Sequence, residues 1–335
     1  MTQHELTRDD VRNVAYGFQG SRVLLTAYEL GIFAALGDGR STSPEVAARI
    51  GADPRATDRL LNALCAMRIL GKENGRFYNT SAARETLLPG PGGDPGGLMH
   101  TVHLWSTWNT LTEAVRRGES VLLPEVNERG EEWLTAFIAA MHDRAVRQAP
   151  TAIAQLDLSA VSSVLDVGGG SGAYAMAFVR GKKGMRATVF DLPNVLPITR
   201  GYIAREGLSQ SVATVAGDYL EDELPRGQDL VLLSAIVHSN SPAENGALIA
   251  RCARALNPGG RVVVQDFIMD EDRVSPPAGA LFALNMLVGT CAGDTYTESE
   301  IAAWMTAAGL SGVSRQGSPF GWSQIVGHLR ASGAR

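Results

Sequence analysis

An apolar run that ends in a carboxylate and breaks into glycines occupies Ser163-Val164-Leu165-Asp166-Val167-Gly168-Gly169-Gly170-Ser171-Gly172. It reads as a strand feeding a ligand-binding turn, with a helix starting near Ala173. Gly168, Gly170 and Gly172 permit positive φ and let a ligand come where a Cβ would stand, and the next helix offers free N–H groups. A nucleotide-like ligand is expected. Gly168-x-Gly170-x-x-Ala173 also satisfies the loose dinucleotide fingerprint, so the kind of nucleotide turns on Asp166. A pyrophosphate would pass close to that carboxylate, and two like charges about 4 Å apart at an effective dielectric near 20 repel by roughly 4 kcal/mol. S-adenosylmethionine has no phosphate and presents an ammonium and a sulfonium, which the same carboxylate attracts. Backbone N–H groups are its other possible partners.

Further acidic residues fall at strand ends. Asp191 closes Val189-Phe190-Asp191-Leu192-Pro193, where a carboxylate can accept both ribose hydroxyls; its alternative role is a helix cap. Asp218, in Gly217-Asp218-Tyr219-Leu220, can take an adenine amino group while Tyr219 covers the ring face. Of the histidines at 4, 100, 103, 142, 238 and 328, only His238 falls at the carboxyl end of a β-rich run. Asp266 ends the next such run, so the two can meet across a ligand cleft as a base and its orienting group.

The elements that must carry these residues alternate strand and helix from Val161 onward, with β-rich runs at 163–167, 187–190, 213–216, 230–236 and 261–267. The pattern predicts a doubly wound α/β sheet, mostly parallel, whose ligands lie beyond the carboxyl ends of the strands.

Ahead of it, apolar residues recur at helical spacing from Val14 to Leu36 and predict two helices. Ser43-Pro44 and Asp53-Pro54 each read as a cap followed by proline at the first helical position, and Gly71 as the close of the second of these helices. Lys72–Thr80 reads as a hairpin turning at Asn74-Gly75. Together these make a winged-helix unit. Residues 1–100 hold eleven Lys/Arg against eleven Asp/Glu, so no electrostatic drive toward nucleic acid exists, and a packing or dimerising role is favoured.

The proline- and glycine-dense stretch 88–97 reads as an interdomain loop, giving residues 1–97 as one domain and 98–335 as helical linker plus sheet domain. In the linker, His103, Trp105, Trp108 and Leu111 are placed on one helix, and Phe137, Met141 and His142 on another before Pro150. Core packing is the plainer reading of these residues. A border on the ligand cleft makes Trp105, Met141 and His142 candidates for substrate contact. His100 and His103 have metal-ligand spacing but no acidic or cysteine partner nearby, so no metal is expected.

The whole chain, 335 residues with 45% apolar residues and a formal charge of −5, suits two globular domains and argues against nucleic acid. No apolar run approaches the ~20 residues of a spanning helix, and the N-terminal decapeptide has no signal-peptide core. Cys65, Cys252 and Cys291 form no C-x-x-C pair. A reducing, cytoplasmic setting is expected.

These motifs resemble, over nearly the whole chain, the class I S-adenosylmethionine-dependent O-methyltransferases of the caffeate, acetylserotonin and bacterial polyketide-tailoring type. The resemblance carries Leu165–Gly172, Phe190-Asp191-Leu192-Pro193 and Gly217-Asp218-Tyr219 as cofactor motifs, with Leu192 and Ser234 among the cofactor contacts. It implies a Rossmann-like methyltransferase sheet behind a winged-helix dimerisation domain, a homodimer, His238 as catalytic base, and Asp266 where the family usually has glutamate. The segment Leu281–Leu287 corresponds to the family's substrate-covering helix, with Phe282 and Met286 against the acceptor. Departures are Ser234 for a usual Lys or Arg, Ser239-Asn240 for Asp-Trp, and Thr295 for a second glutamate. The expected reaction is methyl transfer from S-adenosylmethionine to a hydroxyl of a small, aromatic acceptor. The departures leave open a family member that binds the cofactor without methylating.

Overall fold

The computed structural model describes residues 5–88, 95–122 and 130–331. The chain divides into two compact units, Met1–Trp105 and Ser106–Arg335.

The first unit is helical with one small hairpin: α1 (Arg8–Tyr16), α2 (Phe18–Glu29), α3 (Ile32–Leu36), α4 (Ser43–Ile50), α5 (Pro54–Ala66), β1 (Leu70–Glu73), β2 (Arg76–Asn79) and α6 (Ser81–Leu87). The 14–36 stretch is thus divided among three helices rather than two, because Gly31 takes φ +71° between α2 and α3 and the chain also breaks at Gly17. Thr42, not Ser43, caps α4: its backbone N–H donates to Glu45, while Ser43 is the first helical residue and its hydroxyl donates to Asp58. Asp53 caps α5 through the N–H of Ala56. Gly71 does not close α5, which ends at Ala66; it lies in β1 opposite Tyr78, whose ring fills the space a Cβ would need. The hairpin turns at Asn74 and Gly75, both with positive φ, as the two-residue primed turn requires. Phe33, Leu36, Leu61, Leu64 and Phe77 fill the core. The division between units falls within α7 (Pro95–Trp108), so residues 95–97, read as loop, begin a helix; positions 89–94 of that loop lie outside the described residues.

The second unit contains α8 (Leu111–Arg117), α9 (Glu131–Ala154), β3 (Ser163–Val167), α10 (Ala173–Gly181), β4 (Arg186–Asp191), α11 (Leu196–Arg205), β5 (Val212–Ala216), β6 (Gln228–Ser234), a one-turn 3-10 helix (Val237–Ser239), α12 (Pro242–Ala255), β7 (Leu256–Asp266), α13 (Pro277–Gly289), α14 (Glu298–Ala307), β8 (Leu310–Gly317) and β9 (Ser323–Leu329). The seven strands run in the order β5-β4-β3-β6-β7-β9-β8, parallel except for the pairings of β9. Burial follows the two-residue period of a strand: Leu165, Val167, Val231 and Leu233 enter the core on one face, Val164, Leu230 and Leu232 that on the other. Strand order reverses between β3 and β6, which places a crevice beyond their carboxyl ends. Leu111 begins α8 rather than sharing α7 with Trp108, and α9 continues through Pro150 to Ala154 instead of stopping before it. Among the described residues no helix is long and apolar enough to cross a membrane.

Candidate active site

The turn after β3 is built by its glycines. Gly168, Gly170 and Gly172 have φ of +63°, +55° and +76°, and a Cβ on Gly168 would stand 2.3 Å from the Ile236 side chain. Beneath the turn Asp166 is buried and accepts the N–H of Ala175 at 3.1 Å, the third residue of α10. The helix N-terminus is therefore already occupied from below by a carboxylate. Burial, with Asp191 nearby adding to it, pushes the Asp166 carboxyl up to about 7.

Asp191 ends β4 with both oxygens engaged, accepting from Gly170 N at 2.7 Å and Leu192 N at 2.8 Å. Burial raises its pKa to about 6, against the pull of those two N–H groups. Leu192 thus orients Asp191 through its backbone, while its side chain packs with Leu134, Ile138 and Val195. Asp218 accepts from Leu220 N at 2.8 Å. The Tyr219 ring lies 3.6 Å from the space above Gly168, and its hydroxyl donates to Asn240 Oδ1 at 3.2 Å. Burial and, after it, the adjacent Asp218 push that phenol up.

After β6 the backbone turns through Ala235, a non-glycine residue at φ +58°. Ser234, the last residue of β6, sits opposite Gln265 on β7 and accepts from its Nε2 at 3.1 Å; Gln265 in turn donates to the Tyr174 hydroxyl and accepts from Gln324. The sharp bend delivers His238, which lies in the 3-10 turn four residues past the strand. Its Nδ1 is 2.8 Å from both oxygens of Asp266, at the end of β7. Both side chains are largely buried, with 12% and 4% exposure. Nδ1–H donating to the carboxylate leaves the Nε2 lone pair free to accept a proton. Phe282 packs edge-on to the imidazole at 4.8 Å between centroids, and Phe267 lies 4.9 Å from Phe282.

The remaining acceptor candidates scatter. Met286 is buried on α13, and Met141 is half-buried on α9. His142 joins the glycine turn instead: its Nδ1 is 2.9 Å from Ser171 Oγ and its ring lies 4.0 Å from Tyr202. Trp105 belongs to the first unit, where the Arg22 guanidinium lies over its ring at 5.5 Å. Thr295 is buried, and its carbonyl accepts from Arg273.

Residues not singled out from the sequence hold the His238 turn. Asn245, fully buried on α12, donates to Val237 O at 2.8 Å and accepts from Asn240 Nδ2. Asp294 N donates to His238 O at 3.0 Å, an approach that requires Gly293, since a Cβ there would lie 2.4 Å from the same oxygen. An asparagine inside an amphipathic helix was the available signal, because that residue type is retained there for a specific hydrogen bond.

An O-methyltransferase domain matches residues 108–311, and an O-methyltransferase dimerisation domain matches residues 13–89. The chain is 35% identical over 328 residues to the 3-hydroxy-5-methyl-1-naphthoate 3-O-methyltransferase of Streptomyces sahachiroi, across 95% of this chain and 94% of that one. It is 33% identical over 323 residues to the tetracenomycin polyketide synthesis 8-O-methyl transferase TcmO of Streptomyces glaucescens, across 93% and 95%. Human N-acetylserotonin methyltransferase, solved in complex with SAM, superposes with a TM-score of 0.87 at 25% identity, covering 99% of this chain and all of that one. Two family domains in this order and identity along nearly the full length lead to one assignment: the chain belongs to the S-adenosylmethionine-dependent O-methyltransferases, with that family's dimerisation domain preceding the methyltransferase domain.

Proposed function

We propose that the enzyme methylates a hydroxyl on a small aromatic molecule, with His238 as general base. The contact that carries this reading is the His238–Asp266 pair, which fixes the imidazole tautomer and leaves Nε2 as proton acceptor. Support for the aromatic class comes from the Phe282 and Phe267 rings beside His238 and from relatives named for a naphthoate and a tetracenomycin.

The residues of the turn fit S-adenosylmethionine. A glycine cradle that a Cβ would obstruct and a strand-tip carboxylate suit a nucleoside. The buried Asp166 favours a cationic ligand over a phosphate. When bound, the donor supplies a methyl group made electrophilic by its sulfonium. In this reading Asp191 and Leu192 hold the ribose end, Asp218 and Tyr219 the adenine end, and Gly168, Gly170 and Gly172 leave the room; Ser234 acts from behind, through Tyr174 and Gln265. His238 Nε2 takes the acceptor's proton as its oxygen attacks, and Asp266 stabilises the resulting imidazolium. Phe282 and Met286 border the acceptor. Alignment of the two reactants lowers the barrier by several kcal/mol more, on the order expected for proximity. The first unit joins two copies as a homodimer.

Incubating the enzyme with methyl-labelled S-adenosylmethionine and a panel of phenols and naphthols tests the reading. Label transfer to a hydroxyl is expected. Donor binding with no transfer to any hydroxylated aromatic would overturn it.

A further inference from the structure

One cation near this site has no assigned task. Arg144 lies on α9 one turn past Met141, with its guanidinium over the face of Phe267, 5.6 Å from the ring centroid. Phe267 follows Asp266 directly and packs on Phe282, which packs on His238. Two ring-to-ring contacts of 4.8 and 4.9 Å and one guanidinium-to-ring contact of 5.6 Å therefore join the base to the guanidinium.

The neighbouring Asp143 is taken by Arg147 one turn on, and Arg144 enters no ion pair among the described residues. A guanidinium stacked on an aromatic ring keeps its edge N–H groups available, and their planar fork matches a carboxylate with two parallel hydrogen bonds. A single fork without a nest of backbone N–H groups suits a monoanion better than a phosphate.

We infer that Arg144 forms a carboxylate subsite at the rim of the acceptor site, so that the preferred acceptor is a hydroxylated aromatic acid, its hydroxyl at His238 and its carboxylate at Arg144. The inference rests on the reading of His238 as base and of the acceptor as aromatic. The amino-acid end of the methyl donor is a second source of the same chemistry, and the test separates the two.

The measurement is kcat/KM on matched acceptors, a hydroxynaphthoic acid against the naphthol lacking the carboxylate, for wild type, Arg144→Ala and Arg144→Lys. Wild type should prefer the acid. Arg144→Ala should lose about ten- to a hundredfold on the acid, mostly in KM, and stay within about twofold on the naphthol. Arg144→Lys, which restores charge without the fork, should recover part of the loss. Equal losses on both acceptors, or no preference in the wild type, would overturn the subsite. Calorimetry with S-adenosylhomocysteine covers the second source: weakened binding by Arg144→Ala with an unchanged acid-to-naphthol ratio assigns the guanidinium to the donor and defeats the acceptor proposal. If the wild type methylates neither compound, the functional reading fails separately. Fluorescence titration of the hydroxynaphthoic acid then decides the subsite: weaker binding to Arg144→Ala sustains it, and equal binding removes it.

Discussion

At the scale of single residues, the catalytic proposal depends on one imidazole nitrogen. His238→Ala should slow methylation by about 10²- to 10⁴-fold while donor affinity, read by calorimetry, stays near that of the wild type. Higher pH or a more acidic phenol should restore part of the rate, because the acceptor then arrives already ionised; an undiminished mutant rate would remove His238 from the chemistry. Asp166 gives a pH prediction of definite sign. Its folded pKa, about 7, lies above the unfolded value of about 3.9, so the ligand-free native state binds the extra proton. The stability this confers is complete below about pH 4 and is lost as pH rises through about 7. Thermal melts of the ligand-free enzyme should therefore fall between pH 5 and 8, and Asp166→Asn should flatten that fall while weakening donor binding. A cationic donor should expel the proton, which calorimetry near pH 6.5 in buffers of different ionisation enthalpy will register. Asp191→Ala should weaken the donor by about 1.5–3 kcal/mol, the usual worth of a charged hydrogen-bond acceptor. Asp166, Asp191, His238 and Asp266 were all legible as residues because each ends an apolar run. Gln265 was not, since nothing in its own stretch marks its partners on β6, α10 and β9, and Asn245 showed only as an asparagine inside an amphipathic helix, with no sign of which groups it holds.

At the scale of elements, the turn after β3 and the bend after β6 meet where Ile236 covers Gly168. Gly168→Ala has to hold a left-handed backbone, at roughly 1–2 kcal/mol, and push Ile236 aside. Weaker S-adenosylhomocysteine binding by a folded protein is the expected result, and unchanged affinity would mean that the turn tolerates a side chain. Asn245→Ala strips the buried Val237 carbonyl and Asn240 of their partner, which should cost about 1–3 kcal/mol in urea denaturation and lower kcat more than donor affinity. The glycine turn and the 72–80 hairpin were readable because their signals lie within a few consecutive residues. The antiparallel strands β8 and β9 escaped notice: Leu310–Gly317, at the sheet edge, alternates burial only weakly and is rich in serine and glycine, so its pairing with β9 supplies what its composition does not.

At the scale of the whole molecule, Val11, Val14, Tyr16 and Phe18 on α1 and α2 are each more than half exposed, within or beside the matched dimerisation domain. One unit leaves that apolar surface uncovered, and a two-fold partner is the commonest way to bury it. Sedimentation should find a dimer at micromolar concentration for the wild type and a shift toward monomer for Val14→Asp with Tyr16→Asp; a wild-type monomer under those conditions defeats the expectation. The sequence by itself determined the mostly parallel α/β architecture, the glycine turn and the class of cofactor, because strand period, glycine spacing and a carboxylate at a strand tip are local properties. Tertiary structure alone decided which side chains share a site. His238 meets Asp266 only because β6 pairs with β7 in the register that sets Ser234 opposite Gln265, and His142 turns to Ser171 and Tyr202 because the packing of α9 selects which face it presents. Register and helix rotation are fixed by burying apolar residues distant in the chain, and such a global condition cannot be read from any one stretch.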